Sequence, residues 1–401
     1  MVEIWLPYGS SEIPVRVPEE KLIEILRPQT LKLNLNLEAE LRRLVELEPS
    51  LQMLALKSRR ICIALGGSSN KQFLIDLTRL LLDTLHGLGV QNSSLLVLLS
   101  VDAPALDTVS FPDLQIVRHS PTSSPVTALE EFKGSFMPKL NSDFWNADLK
   151  ILLGEFRPHP FFGYSGICDI LMPGLTHESL VQLQLTDRKN IGLPDIFKER
   201  LHIAEAVQNL IALGFVLDGD DAPAKLALGN LQQCVEALKK IVGEICSRRV
   251  ERGADIVVMS AGGAPLDESL LRAVETFPAG LNVLKREGAM IVAAECSAGH
   301  GDEDFYDWCA EKKQPRHLET RLRHSLNYQG LKATFLLRAL ETHRIYLVST
   351  IPDYYVENVF GLRAGRTVNS ALQTAQRSLG SDSRIIVIPD ASRVIPSLTS
   401  L

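Results

Sequence analysis

The chain has 401 residues, 45% of them hydrophobic and 22% charged, with a formal net charge of −6. That length points to two domains, and the acidic balance argues against non-specific nucleic-acid binding, which needs Lys and Arg to neutralise phosphates. No apolar run reaches 18 residues, so no membrane span is expected, and the N-terminus "MVEIWLPYGSSEIPV" lacks a basic-then-apolar signal layout, which points to the cytoplasm.

In chain order, "VEIWLPYG" and "EIPVRVP" predict a hairpin, and Asn36 is placed to cap the helix "LEAELRRLVEL". Short apolar strands follow at 60–66, 95–101, 114–118 and 149–154, with a helix over 70–88 after the first. From 228 to 252 the apolar positions Val235, Leu238, Ile241, Val242 and Ile245 keep helical spacing, which predicts a helix joining two domains. The alternation then restarts, with strands at 254–260, 289–295, 344–349 and 384–389 and a helix near 367–379. The expectation is an α/β protein of two domains, 1–245 and 246–401, each a parallel sheet flanked by helices, with a ligand cleft between them. None of the six cysteines forms a C-x-x-C pair, so they read as reduced and buried.

Parallel sheets bind ligands beyond the carboxyl ends of their strands. Four segments hold that position: "GGSSN" (Gly66, Gly67, Ser68, Ser69, Asn70), "HPFFGYSG" (159–166), "SAGGAPLD" (260–267, with Gly262 and Gly263) and "ECSAGHGDEDF" (295–305, with His300). "GGSSN" opens a helix, so its N–H groups are candidates for holding an anion, although G-x-x-x-x-G-K is absent. Gly at strand ends also serves plain turn geometry, and each loop can be read that way alone.

Together these pieces resemble the nickel-dependent lactate racemase family of 2-hydroxyacid racemases and epimerases. The matching stretches run in family order: "LPYG" (6–9), the strand-loop-helix 60–88, "RH" (118–119), "FWNADLKILLGEFRPHPFFGYSG" (144–166), "ILMPG" (170–174), "ADIVVMSAGGAPLD" (254–267), "GAMIVAAECSAGHGDEDF" (288–305) and "IPD" (388–390). The resemblance implies a two-domain fold and a nickel-pincer nucleotide bound covalently to a Lys. It also implies a hydride transferred to that cofactor and back, two His residues acting as acid and base, and a further His on nickel.

Residue by residue, the chain departs from this pattern. His159 matches one acid/base His. The tethering Lys position is Asp169, whose carboxylate cannot form the thioamide link, and the nickel-ligand position is Leu185, which has no lone pair to offer. The loop of the second acid/base His reads "SVDAPALD" (100–107), "GGSSN" replaces the family's Arg-bearing loop, and the family's Gln and Lys fall at Arg272 and Glu275. The remaining cofactor question is therefore open: a nickel-pincer nucleotide by family, with Asp169 and Leu185 against its tether and metal ligation.

Each candidate also has a plainer reading. His159 is either an acid/base group or a loop His kept for packing. Asp169 and Arg272 either pair across the cleft, a charge swap that keeps it neutral, or are separate solvated charges. His300, Glu295 and Cys296 carry metal-capable atoms, but adjacent strand residues point to opposite faces, so no metal site is assigned. Cys168 sits beside a carboxylate that disfavours its thiolate, and His119 and His177 read as local hydrogen-bonding residues. Two functions remain: a homologue with a degenerate site that binds a small anion or nucleotide in the cleft, or an active 2-hydroxyacid racemase using a non-covalently held or different cofactor. A small-molecule ligand, hydroxyacid, nucleotide or other anion, is expected in either case. Neither reading assigns an oligomeric state.

Overall fold

A computed structural model describes residues 1–31, 35–106, 111, 113–130, 132, 137–159, 163–176, 194–311, 314–324 and 328–399, with the side chains of 194–197, 199, 323 and 324 outside the description. The chain opens with an antiparallel hairpin, β1 (Val2–Tyr8) and β2 (Ser11–Val17), then β3 (Leu22–Ile25). The first sheet is built from β4 (Ile61–Leu65), β5 (Leu95–Leu99) and β6 (Gln115–Arg118). After a short antiparallel pair, β7 (Val126–Ala128) and β8 (Lys139–Asn141), it continues with β9 (Leu149–His159), β10 (Gly163–Gly166), β11 (Leu210–Leu217) and β12 (Pro223–Gly229). Its order is β12-β11-β9-β4-β5-β6, parallel except for β12 and for β10 folded back on β9. The second half holds β13 (Ser247–Val250), β14 (Ala254–Ser260), β15 (Leu284–Ala293), β16 (Arg344–Val348), β17 (Arg363–Ala364), β18 (Ile385–Ile388) and β19 (Ile395–Leu398). Its sheet runs β17-β16-β15-β14-β18-β3, all parallel.

The strands read as continuous apolar runs because both faces are covered. Along β4, Cys62 and Ala64 face one core while Ile61, Ile63 and Leu65 face another, the period-2 alternation of a strand buried on both sides. In β14, Val257 and Met259 face one layer, and Ile256 and Val258 the other. The helix Lys71–Gly87 buries Phe73, Leu74, Leu77, Leu81 and Leu85 against the first sheet, and Asn70 caps it by accepting from the Phe73 N–H. The helix Leu231–Cys246 turns Cys234, Val235, Leu238, Val242 and Ile245 into the first core, so the joining helix belongs by packing to that layer.

Two differences from the sequence reading matter. The N-terminal hairpin, expected ahead of the first sheet, packs on the second, where Ile4, Leu6, Val15 and Val17 share a core with Ile256, Val258 and Ile291, and β3, a strand with no counterpart in the sequence reading, pairs with β18. The strands β11 and β12 were not anticipated, since "LIALGFVL" is an apolar run whose type periodicity does not decide. Among the described residues no helix is long and apolar enough to cross a membrane.

In the first sheet the chain leaves β4 toward β5 and β6 on one side, and runs from β9 to β11 on the other. The β4/β9 boundary is a topological switch point, where a crevice opens at the carboxyl ends. The second sheet has the same reversal between β14 and β18.

Candidate functional site in the interdomain cleft

Three loops of the first sheet converge at the switch point. A Cβ on Gly67 would lie 3.1 Å from the Asp102 carbonyl oxygen, and one on Gly66 would lie 2.8 Å from the Ile170 side chain, so only glycine lets these segments approach so closely. The turn Gly66–Asn70 differs from the anion site expected of it. The Ser69 N–H donates to Glu155 Oε2 at 2.7 Å, the Asn70 N–H donates to Ser68 Oγ, and the Phe73 N–H is capped by Asn70. Glu155 is 3% exposed, and its carboxylate stands where an external anion would have to sit. The positive end of this helix is met from within the fold.

The loop after β5 is held by Arg118, which donates to the carbonyl oxygens of Ser100 at 3.2 Å and Ala103 at 3.0 Å. Val101 donates to Gly174 from the same loop. Between these anchors Asp102 reaches the cleft surface. Crowding by the protein and the nearby Asp169 charge push its carboxyl pKa up, against the pull of Arg272 and Arg157. His119 has the local role expected of it: its Nε2 meets the Thr176 carbonyl at 3.0 Å and its Nδ1 meets Asn141 at 3.1 Å.

His159 ends β9, and the backbone returns through β10. Asp169 follows in a short 3-10 turn. One of its oxygens, Oδ2, accepts from the Gly166 N–H at 3.0 Å, and the other, Oδ1, lies 2.6 Å from Nη1 of Arg200, whose side chain is 6% exposed. The anticipated Asp169–Arg272 pair is therefore not formed. Arg272 instead donates to the Pro265 carbonyl and lies 3.9 Å from Glu268 of its own helical turn. Arg200, on the helix Pro194–Ala206, is nearer and already desolvated. Cys168 is fully buried, and burial, with the Asp169 charge, drives its thiol pKa well up, so it is no nucleophile. Leu185 and His177 lie outside the described residues.

On the second domain, the turn with Gly262 and Gly263 supports the N-terminal hairpin. A Cβ on Gly263 would press at 3.1 Å on the Gly9 carbonyl, and Ala264 donates to that same oxygen. Asp267 is fully buried and accepts from the N–H groups of Gly9 and Glu295, a structural role that ties hairpin to loop. His300 packs on Tyr306 with ring centroids 5.2 Å apart, and its Nδ1 meets the Asp302 carbonyl. Among the described residues no three His, Cys, Asp or Glu side chains converge as a metal site.

The two domains meet at Glu275. His159 Nε2 lies 3.5 Å from Glu275 Oε2, within ion-pair reach but longer than a well-formed hydrogen bond. On its other oxygen, Oε1, Glu275 contacts the Lys332 ammonium and accepts from the Tyr328 hydroxyl. The Lys332 nitrogen also lies 4.1 Å from the Tyr328 ring centroid. Burial pushes the Glu275 carboxyl up, but Lys332 and His159 together outweigh it and hold the group well below the usual range. Burial lowers the Lys332 pKa, in part offset by Glu275, and burial and the Glu275 charge raise that of Tyr328. Lys332 and Tyr328 lie on the helix Tyr328–Leu340 and were not singled out from the sequence, where they look like ordinary helix positions.

Comparison with known proteins supplies the family. Residues 250–396 match the lactate racemase C-terminal domain. Lactate racemase from Thermoanaerobacterium thermosaccharolyticum is 26% identical over 98% of this chain and 99% of its own length. The apoprotein structure of lactate racemase from that organism superposes with a TM-score of 0.83 at 25% identity, covering 98% of this chain and all of the other. The chain belongs to the lactate racemase family. Lactate racemase from Lactiplantibacillus plantarum is also 26% identical, over 62% of each chain. Within this lactate racemase fold, the sequence resemblance puts the expected cofactor-tethering Lys at Asp169, a side chain that does not suit covalent attachment. A carboxylate offers no amine to acylate, and that of Asp169 is occupied by Arg200 and the Gly166 N–H.

Proposed function

We propose that this chain is a lactate racemase homologue that holds no covalently tethered cofactor and binds a small carboxylate or phosphate anion in the cleft between its domains. The observation that supports this reading is the Asp169–Arg200 pair, which commits the side chain at the tether position to the protein itself. Arg157 and Arg272 act on Asp102 against the charges of Asp169 and Glu275, and are the cations an anion in the cleft would meet. The six described cysteines are free and buried, in keeping with a reducing cytoplasm. The test is intact mass and elemental analysis of protein produced with the nickel-cofactor biosynthesis enzymes present, followed by calorimetric titration with lactate, phosphate and a nucleotide. No mass adduct, no stoichiometric nickel and saturable binding of one anion are expected. Stoichiometric nickel or an adduct overturns the proposal.

A second reading is favoured by one contact, that of His159 with Glu275. A carboxylate beside an imidazole is a common arrangement for a general acid or base. Under this reading the protein is an active 2-hydroxyacid racemase or epimerase with a non-covalent or different cofactor. Chiral analysis of D- and L-lactate after incubation separates the two: interconversion abolished by His159→Gln supports the second.

A further inference from the structure

The carboxylate that faces His159 is not held by its own domain loop alone. Its Oε1 atom is engaged by two side chains of one helix, the Lys332 ammonium and the Tyr328 hydroxyl. Lys332 is 2% exposed, so this ammonium has given up its water and depends on Glu275 for compensation. Because Lys332 and Tyr328 are four residues apart, they lie on one helix face, and the ammonium stacks over the phenol ring. This two-donor grip on Oε1 turns Oε2 toward the His159 ring across the domain boundary.

We propose that Lys332, with Tyr328, is a positioning residue. The pair pins Glu275 so that one carboxylate oxygen meets His159, and the ammonium sets how much of the carboxylate charge the imidazole experiences. The inference rests on the reading of His159 as the acid/base group of the cleft. Other charged groups face the same cluster: Arg272 and Asp302 act on Lys332, Arg200 and Asp169 act on Tyr328, and Asp102 lies within range of Glu275. They occur in opposite signs, so removing Lys332 changes the balance at Glu275 more than at any neighbour.

The test reads His159 chemistry directly, without requiring turnover. Diethyl pyrocarbonate modifies neutral imidazole, and the extent at His159 is followed by peptide mass spectrometry as a function of pH. In Lys332→Met the Glu275 charge is left to His159, so the pH midpoint of modification rises by about one unit. In Lys332→Arg the midpoint stays near that of the native protein, and in the double variant Lys332→Met/Glu275→Gln it returns toward it. Tyr328→Phe keeps the ring and removes one neutral donor, so its midpoint moves in the same direction by less. Folding of each variant is checked by cooperative urea unfolding. If Lys332→Met does not fold, Tyr328→Phe decides, and an unchanged midpoint there overturns the proposal. Unchanged midpoints in folded Lys332→Met overturn it as well. Absence of racemisation by the native protein, with the midpoints shifted as expected, would count against the catalytic reading of His159 and leave the positioning network standing.

Discussion

Arg200 reaches Asp169 from the helix Pro194–Ala206, 2.6 Å from Oδ1, and closes the position where the lactate racemase family resemblance would put a lysine. The pair is largely desolvated, with side chains 6% and 20% exposed. Burial makes its two halves unequal to their sum: removing one partner strands the other charge, whereas the intact pair adds little net stability.

Asp169→Asn should therefore destabilise the protein by about 3 kcal/mol, the low end for a broken interior pair because Asp169 keeps some water. Arg272→Gln should change stability by about 0.5 kcal/mol or less, as for an exposed side chain without a buried partner. Urea unfolding of the two variants at neutral pH checks both, and the reverse order would mean that Arg272 is the partner after all.

Glu275 gives a pH dependence of definite sign. Its folded-state pKa lies below the unfolded carboxylate value of about 4.3, because Lys332 and His159 outweigh its burial. Its contribution is thus complete above that value and lost as pH falls toward and through the folded one. Native protein should lose more stability between pH 5 and pH 3 than Glu275→Gln does, measured by urea midpoints at each pH.

Asp102 has the opposite sign. Crowding by the surrounding protein and the charge of Asp169 raise its folded-state pKa although Asp102 reaches the cleft surface, so it favours the fold while protonated and ceases to as pH rises through that raised value. Asp102→Asn should raise the melting temperature at pH 7, and the gain should vanish in acid. The same variant removes a negative charge from the cleft, so its affinity for an anion in calorimetric titration should rise.

Arg118 should matter locally. Its bonds to the Ser100 and Ala103 carbonyls are charge-assisted, worth about 1.5–3 kcal/mol together with the loop they order. Arg118→Met should speed amide exchange at Val101 and Ala103 by about tenfold or more, while exchange in β4 and β9 stays unchanged. Equal acceleration throughout the sheet would show that Arg118 supports the whole domain.

Much of the fold was readable because it is periodic. The strand Ala254–Ser260 and the helix Val368–Leu379 fall where alternation and helical spacing put them, and Asn36 caps its helix as its position implied. The placement of β1 to β3 was not readable, since an edge strand can pair with either sheet and local pattern is the same in both. At the cleft, the sequence pointed to His159 and Asp169 through their motif. It did not point to Lys332 or Arg200, which occur in helices with no motif around them. The donors of Gly66–Asn70 looked available because Glu155, 86 residues away from Ser69, carries no mark of the turn it would cap.

The sequence by itself determined that most apolar runs with strand or helix periodicity form the elements of an α/β fold, and that residue 169 carries a carboxylate. Those are properties of residue type and short spacing, and burial of apolar surface enforces them wherever the chain folds. Only the tertiary structure decided which charge meets which: Asp169 with Arg200, Glu275 with Lys332 and His159, Glu155 with Ser69. Charge pairing is chosen by distance and desolvation in the assembled cleft, and neither quantity is written in the order of residues along the chain.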